Sequence, residues 1–91
     1  MQIECVFFGP FRDAVGEKTV TIETDADTVG ELLRALEGRY PSLEGDLVEG
    51  DDLAGTTVVT KDGRDIRHLD GLGTTIDEMA VYRLVPSVYG G

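Results

Sequence analysis

Residues 28–40 read TVGELLRALEGRY and carry the clearest helical signal in the chain. Thr28, followed three residues later by Glu31, forms the capping-box pattern that opens helices. Pro41 stops the helix, and two internal glycines weaken it. One stripe at helical spacing is apolar and consists of Val29, Leu32, Leu33, Leu36 and Tyr40. We therefore expect a helix that depends on a sheet packed beneath this stripe.

Period-two alternation predicts the strands of that sheet. Residues 2–8 and 79–85 are apolar on both faces, which is typical of central strands. Asp62-Gly63 is typical of a hairpin turn between two shorter strands. The shorter strands are expected at 19–23, 56–60 and 65–67. The segments 9–16 and 42–55 are predicted to be irregular connections.

The order strand, strand, helix, strand, short strand, strand predicts a mixed sheet wrapped across one helix. The first and last long strands then lie side by side and parallel, joined through the single helix. This is a ubiquitin-like β-grasp of the α+β class, with a four- to five-stranded mixed sheet on one main helix. We assign residues 1–85 to the domain and 86–91 to a flexible C-terminal tail, because its two final glycines cannot pack and are costly to order.

The charge balance bears on partners and habitat. Eighteen acidic and eight basic residues give a net charge of -10, which argues against a nucleic-acid partner because phosphate binding requires a basic patch. An acidic surface with few lysines is typical of a salt-rich, halophilic cytosol. A compatible alternative is an acidic face that docks on a basic partner. The sequence has no apolar run of roughly 18 residues and no signal-peptide pattern, so we expect a cytoplasmic protein without a membrane partner.

The sequence ends in Gly90-Gly91. A tail without side chains fits a channel too narrow for other residues, and its tip presents only the carboxylate of Gly91. Two interpretations are open: the carboxylate is the working group, or the end is a frayed terminus of the common kind. The dipeptide alone favours the frayed terminus.

Cys5 and His68 are the other candidates for chemistry. Cys5 is a candidate nucleophile, but it lies in an apolar strand without a local base, which is typical of a small core residue. His68 lies between Asp65 and Asp70, and one imidazole with loop carboxylates makes a weak metal site. We predict no catalytic residues and no metal site, and a single cysteine excludes an internal disulfide.

The sheet face away from the helix is the expected docking surface. We place Val6, Phe8, Tyr82 and Leu84 on it as a small apolar patch. Pro86 and Val88 extend this surface towards the tail. Coverage of the patch by the connection at 9–15 is the alternative.

Motifs at both ends of the chain together resemble one family. Phe7-Phe8 is followed by Phe11-Arg12-Asp13 and the turn glycine Gly16, and after the capped helix the last strand leads into Pro86, Val88 and Gly90-Gly91. This outline is similar to the MoaD/ThiS group of ubiquitin-like proteins, and most similar to the small archaeal modifier proteins. Where that family usually has two prolines and a small residue before the glycines, this chain has Pro86-Ser87 and Tyr89.

The resemblance implies an acyl carrier that binds no cofactor and is not itself an enzyme. An activating enzyme using ATP and Mg would adenylate the Gly91 carboxylate. The acyl group would then pass to lysines of target proteins as an isopeptide, or to sulfur as a thiocarboxylate for molybdopterin, thiamin or tRNA thiolation. The implied partners are the adenylating enzyme, the target proteins and the molybdopterin synthase large subunit.

Two questions stay open alongside the resemblance. Lys18 and Lys61, the only lysines, are candidates for accepting a copy of the chain. A non-covalent binding module with an incidental tail is the third alternative for function.

Overall fold

The computed structural model describes residues 1–87, and this part of the chain contains seven strands and two α-helices. The strands are β1 (Gln2–Phe7), β2 (Thr19–Glu23), β3 (Val48–Glu49), β4 (Asp52–Leu53), β5 (Thr57–Lys61), β6 (Arg64–Asp65) and β7 (Val81–Pro86). The helices are α1 (Pro10–Val15) and α2 (Val29–Arg39). Short 3-10 turns cover Pro41–Leu43, Ile66–His68 and Gly71–Gly73.

Five strands form one mixed sheet in the order β2-β1-β7-β5-β6. The central pair, β1 and β7, is parallel, and every other neighbouring pair is antiparallel. The chain crosses from one end of the sheet to the other through α2, which covers one face. This confirms the predicted β-grasp and the predicted adjacency of the first and last strands.

The helix α2 forms as the capping box predicts. The Thr28 hydroxyl accepts the Glu31 N–H at 3.3 Å and donates to the Glu31 carboxylate at 3.4 Å. Tyr40 is the C-terminal capping residue of α2. Its ring packs edge-on against the Phe7 ring, with 6.4 Å between the two ring centroids. The apolar stripe is buried against the sheet through Val29, Leu32, Leu33 and Leu36.

The predicted irregular segment 42–55 is more ordered than expected. It contains a two-stranded hairpin of β3 and β4, which α2 holds in place. One carboxylate oxygen of Glu37 accepts N–H groups of three residues of this segment, namely Gly45 at 2.9 Å, Leu47 at 3.2 Å and Val48 at 3.2 Å. Sequence periodicity cannot reveal this hairpin, because the hairpin is held by a side chain that is distant in the sequence.

The connection expected at 9–16 contains the short helix α1. Pro10 at its first turn is preset for helical geometry, and Phe11 is buried in the core. Several strand boundaries also differ from the prediction by one or two residues. The strand expected at 65–67 is β6 followed by a 3-10 turn, and β7 begins two residues later than 79 because Asp77 accepts the Met79 N–H in a turn. The hairpin turn between β5 and β6 is confirmed, with Asp62 and Gly63 both at positive φ.

Candidate functional site

The sheet holds the chain as far as Ser87. β7 runs to Pro86, and the Ser87 N–H donates to the Thr56 carbonyl oxygen at 2.9 Å. The Ser87 hydroxyl donates to the Gly55 carbonyl oxygen at 3.1 Å. Pro86 and Ser87, which the sequence assigned to the flexible tail, are therefore held by the sheet at the end of its central strand β7. Val88, Gly90 and Gly91, with the predicted flexibility of the tail, lie outside the described residues.

Gly9 packs against Pro86 at the end of β7. A Cβ at Gly9 would stand 3.2 Å from Cγ of Pro86, closer than ordinary van der Waals contact. Gly9 also has a φ of +57°, which disfavours any residue with a side chain. Glycine at this position therefore lets the N-terminal end of α1 lie directly against the end of β7.

The prediction that Tyr82 and Leu84 lie on the sheet face away from the helix is wrong. Both side chains are fully buried in the core. In the parallel pair, Tyr82 is the register partner of Cys5, and Leu84 is the partner of Phe7. Since register partners point to the same face, the core position of Cys5 and Phe7 places Tyr82 and Leu84 there as well.

The open sheet face instead carries the other residues of these strands. We define it by Val6, Phe8, Val58, Arg83 and Val85. Arg83 pairs with Val6 and Thr60, and Val85 pairs with Val58. Phe8 follows β1 and donates its N–H to the Leu84 carbonyl oxygen at 3.1 Å. Of the expected patch, Phe8 is half-buried on this face, whereas Val6 lies on it with only 7% of its surface exposed. Val58 and Val85, both half-buried, replace Tyr82 and Leu84.

Sequence reasoning missed Val58, Val85 and Arg83, although a signal was present. β7 alternates between two apolar faces, and Arg83 belongs to the face of Val85. A charged residue is almost never fully buried without a partner, so Arg83 marks the outward face. Within residues 1–87 the single ion pair joins the Met1 amine to Glu23, so no carboxylate of this range lies within ion-pair distance of Arg83. The buried Thr60 hydroxyl beside it also lacks a hydrogen-bond partner among those residues.

The two lysines have different environments. Lys61 is half-buried, and its Nζ donates to the Thr75 carbonyl oxygen at 2.7 Å. Lys18 is exposed, and its backbone carbonyl oxygen accepts the Phe7 N–H at 2.7 Å. The amine of Lys18 is therefore the more accessible of the two.

The remaining candidates show no arrangement for catalysis in the described part of the chain. Cys5 is fully buried, and burial, assisted by Glu4, raises the pKa of its thiol to about 12. His68 is exposed. Across residues 1–87, no three His, Cys, Asp or Glu side chains come together as metal ligands. No helix in this range has the length and apolar character needed to cross a membrane.

Known proteins match this chain along its whole length. It is 40% identical to Small archaeal modifier protein 3 of Haloferax volcanii, with all of both chains covered. The crystal structure of SAMP1 from Haloferax volcanii is 30% identical, with full coverage of both chains and a TM-score of 0.81. A chain in the Amycolatopsis orientalis BexX/CysO complex is 26% identical over 98% of this chain and 99% of its own, with a TM-score of 0.82.

These similarities agree with the features found above. The Haloferax relatives fit the halophilic character expected from the acidic composition, and the solved structures share the five-stranded sheet with one main helix. The ThiS family profile matches residues 5–91, from the second half of the first strand to the diglycine end. The chain belongs to the ThiS family.

Proposed function

We propose that this chain is a ubiquitin-like protein modifier that is joined to lysines of other proteins through the carboxylate of Gly91. The observation that carries the proposal is its 40% identity over the full chain to a small archaeal modifier protein. The fold is consistent with this role, because β7 is a central strand that runs directly towards the chain end. The chain acts as the acyl carrier, and the catalytic groups belong to its partner.

The chemistry requires an activated carboxylate, because oxide is a poor leaving group. The Gly91 carboxylate attacks the α-phosphorus of ATP in an adenylating enzyme that also binds Mg, and pyrophosphate leaves. A lysine amine of the target then attacks the acyl carbon, AMP leaves, and the amine proton passes to a base of the partner. Gly90 has no side chain, so the tail can pass through a narrow channel in the partner.

The open sheet face is the proposed docking surface for the adenylating enzyme. Its half-buried Phe8, Val58 and Val85 form an apolar area. Pro86 alternates with Val85 along β7 and pairs with the buried Thr57, so it belongs to the opposite face and is proposed as a contact only at the end of the strand. Val88 remains proposed as an extension of the docking surface into the tail. Apolar patches on an otherwise charged small domain commonly mark interaction sites. Tyr82 and Leu84 are excluded from direct contact with a partner because both are fully buried.

The decisive test is removal of Gly90-Gly91 from an epitope-tagged chain in its own cells. The parent should give a ladder of tagged adducts on blots, and the truncated chain should give none. Mass spectrometry of the purified adducts should find the C-terminal peptide of this chain on target lysines. Thermal unfolding of both forms serves as the control, because residues 1–87 form the sheet without these glycines. An unchanged ladder from the truncated chain would refute the proposal.

A sulfur-carrier role is the second candidate, favoured by the match to the ThiS family profile. In that role the adenylate is attacked by sulfur and the chain ends in a thiocarboxylate. The molybdopterin synthase large subunit is then a proposed partner. Intact mass of the chain from its own cells distinguishes this role, since one sulfur-for-oxygen exchange at Gly91 raises the mass. Both roles are compatible in one chain.

A non-covalent binding module is the remaining alternative. It predicts that cells carrying the truncated chain behave as the parent does, with neither adducts nor a thiocarboxylate recovered.

We also propose a cytoplasmic location, where ATP and the activating enzyme are available. Fractionation of cells expressing the tagged chain tests this directly.

A further inference from the structure

The point where the chain leaves the sheet is fixed from two sides. On one side, Ser87 makes hydrogen bonds of 2.9 and 3.1 Å to the carbonyl oxygens of Thr56 and Gly55. On the other side, Gly9 lies against Pro86 so closely that an added Cβ would be 3.2 Å from the proline ring. The chain beyond Ser87 therefore starts from a defined position on the domain surface.

The fixed position of Ser87 limits how far the Gly91 carboxylate can reach from the domain. Four residues, 88–91, follow Ser87. A fully extended chain spans at most about 3.6 Å per residue, so Gly91 lies within about 14 Å of Ser87 in any conformation. One layer of secondary structure around an enclosed active site is about 10 Å thick, judged by the diameter of a helix with its side chains. Little distance then remains between the wall of the partner and the surface of this domain.

The surface around the anchor is suited to such a close approach. We define the tail collar as Gly9, Pro10, Gly55 and Thr56, which are all exposed. Charged residues make up 29% of the chain, but the collar, Pro86 and Ser87 carry none. A charged side chain here would have to be desolvated against a closely apposed surface, which is costly. Two glycines and a proline also project little from the backbone.

We propose that the tail collar is the surface on which the rim of the activating enzyme's channel rests. The inference depends on the proposed function and adds the place and chemistry of the contact: an uncharged, closely fitting rim around the channel that receives the tail. In this arrangement Ser87 is a positioning residue, since it sets the length of chain that enters the channel.

The test uses bulky charged residues in the collar together with a longer tail. Thr56→Arg and Pro10→Arg should each hold the rim away and reduce the rate of adenylation by about 10- to 100-fold, because small misplacements of a reacting group are costly. Insertion of Gly-Ser between Ser87 and Val88 adds about 7 Å of reach and should restore most of that rate. The same insertion in the parent should change the rate by less than about threefold.

The assay is ATP–pyrophosphate exchange by the activating enzyme that co-purifies with the tagged parent. Met79→Arg is the matched control, because Met79 is 87% exposed and precedes the start of β7, at the end opposite the collar. It should keep the parental rate. Thermal unfolding of the two collar variants should stay close to that of the parent, since both positions are exposed.

Two results would overturn the proposal that the enzyme rests on the tail collar. One is a parental exchange rate in both arginine variants. The other is a slow variant that the longer tail fails to restore, because the defect would then not be one of reach. A parent that supports no exchange at all, with no adducts in cells, would instead overturn the proposed function and the collar together.

Discussion

Cys5 and Tyr82 are register partners in the parallel pair of β1 and β7, and both side chains are fully buried. The Tyr82 hydroxyl reaches the edge of the core, where it accepts the Asp77 N–H at 2.8 Å. This pairing fixes which face of β7 meets α2. The side chains of Arg83 and Val85, one position along from Tyr82 and Leu84, consequently lie on the open sheet face.

The face assignment predicts unequal costs for neighbouring truncations. Leu84→Ala should lower the free energy of unfolding by about 2–5 kcal/mol, because it leaves a cavity in the core. Val85→Ala, on the half-buried open sheet face, should cost at most about 1 kcal/mol. Urea unfolding of both variants at one salt concentration measures the difference. Similar costs would contradict the assignment.

A charge on the open sheet face should affect partner binding and leave folding intact. Val85→Asp is expected to slow adenylation several-fold, because the carboxylate must be desolvated when the apolar area is covered. The measurement is pyrophosphate exchange at varied concentrations of this chain, with the defect appearing as a higher KM. Met79→Asp, at an 87% exposed position in the turn before β7, is the matched control. A parental KM for Val85→Asp would rule out docking through this face.

Cys5 should be inert in the folded protein and should make it sensitive to alkali. The pKa of its thiol is about 12 in the folded state against a usual value of 9.0, so the unfolded chain loses the proton first. The free energy of unfolding is thus unaffected below about pH 9 and falls as pH rises towards about 12. Burial also raises the pKa of Tyr82, which acts in the same direction.

Two measurements check the behaviour of Cys5. Iodoacetamide at neutral pH should label it slowly in buffer and rapidly in denaturant. Cys5→Ala should show a smaller loss of stability between pH 9 and pH 11 than the parent. Rapid labelling of the native chain would show that the thiol is accessible after all.

Lys18 is the expected site if copies of this chain are joined to one another. The Lys61 amine is half-buried and donates to the Thr75 carbonyl oxygen at 2.7 Å, whereas Lys18 is exposed. Mass spectrometry of self-adducts should find the C-terminal peptide on Lys18. Lys18→Arg should abolish those adducts, and Lys61→Arg should not. Adducts carried mainly by Lys61 would contradict this expectation.

Glu37 should be a main support of the β3–β4 hairpin. Its carboxylate accepts three backbone N–H groups, so Glu37→Ala should cost about 1–3 kcal/mol and speed amide exchange at Gly45, Leu47 and Val48. Glu44→Ala is the matched control, since Glu44 is exposed and its side chain makes no hydrogen bond within residues 1–87. Unchanged exchange in Glu37→Ala would show that the hairpin holds without the tether.

The sequence by itself determined the elements that rest on local chemistry. The Thr28 capping box, the apolar stripe of α2 and the Asp62-Gly63 turn all involve residues close together in the chain, and all appear as predicted. The strand order followed from the same reasoning, because apolar residues on both faces require a central place in the sheet. The family resemblance, carried by motifs at both chain ends, was also present in the sequence.

Only the tertiary structure decided which face of β7 is buried and where the tail begins. Alternation defines two faces but does not say which one meets the helix, and that choice depends on the register between β7 and β1. The anchoring of Ser87 depends on Gly55, 32 positions away. Contacts between residues so far apart leave no periodic signal, because only folding brings their polar groups within hydrogen-bond distance.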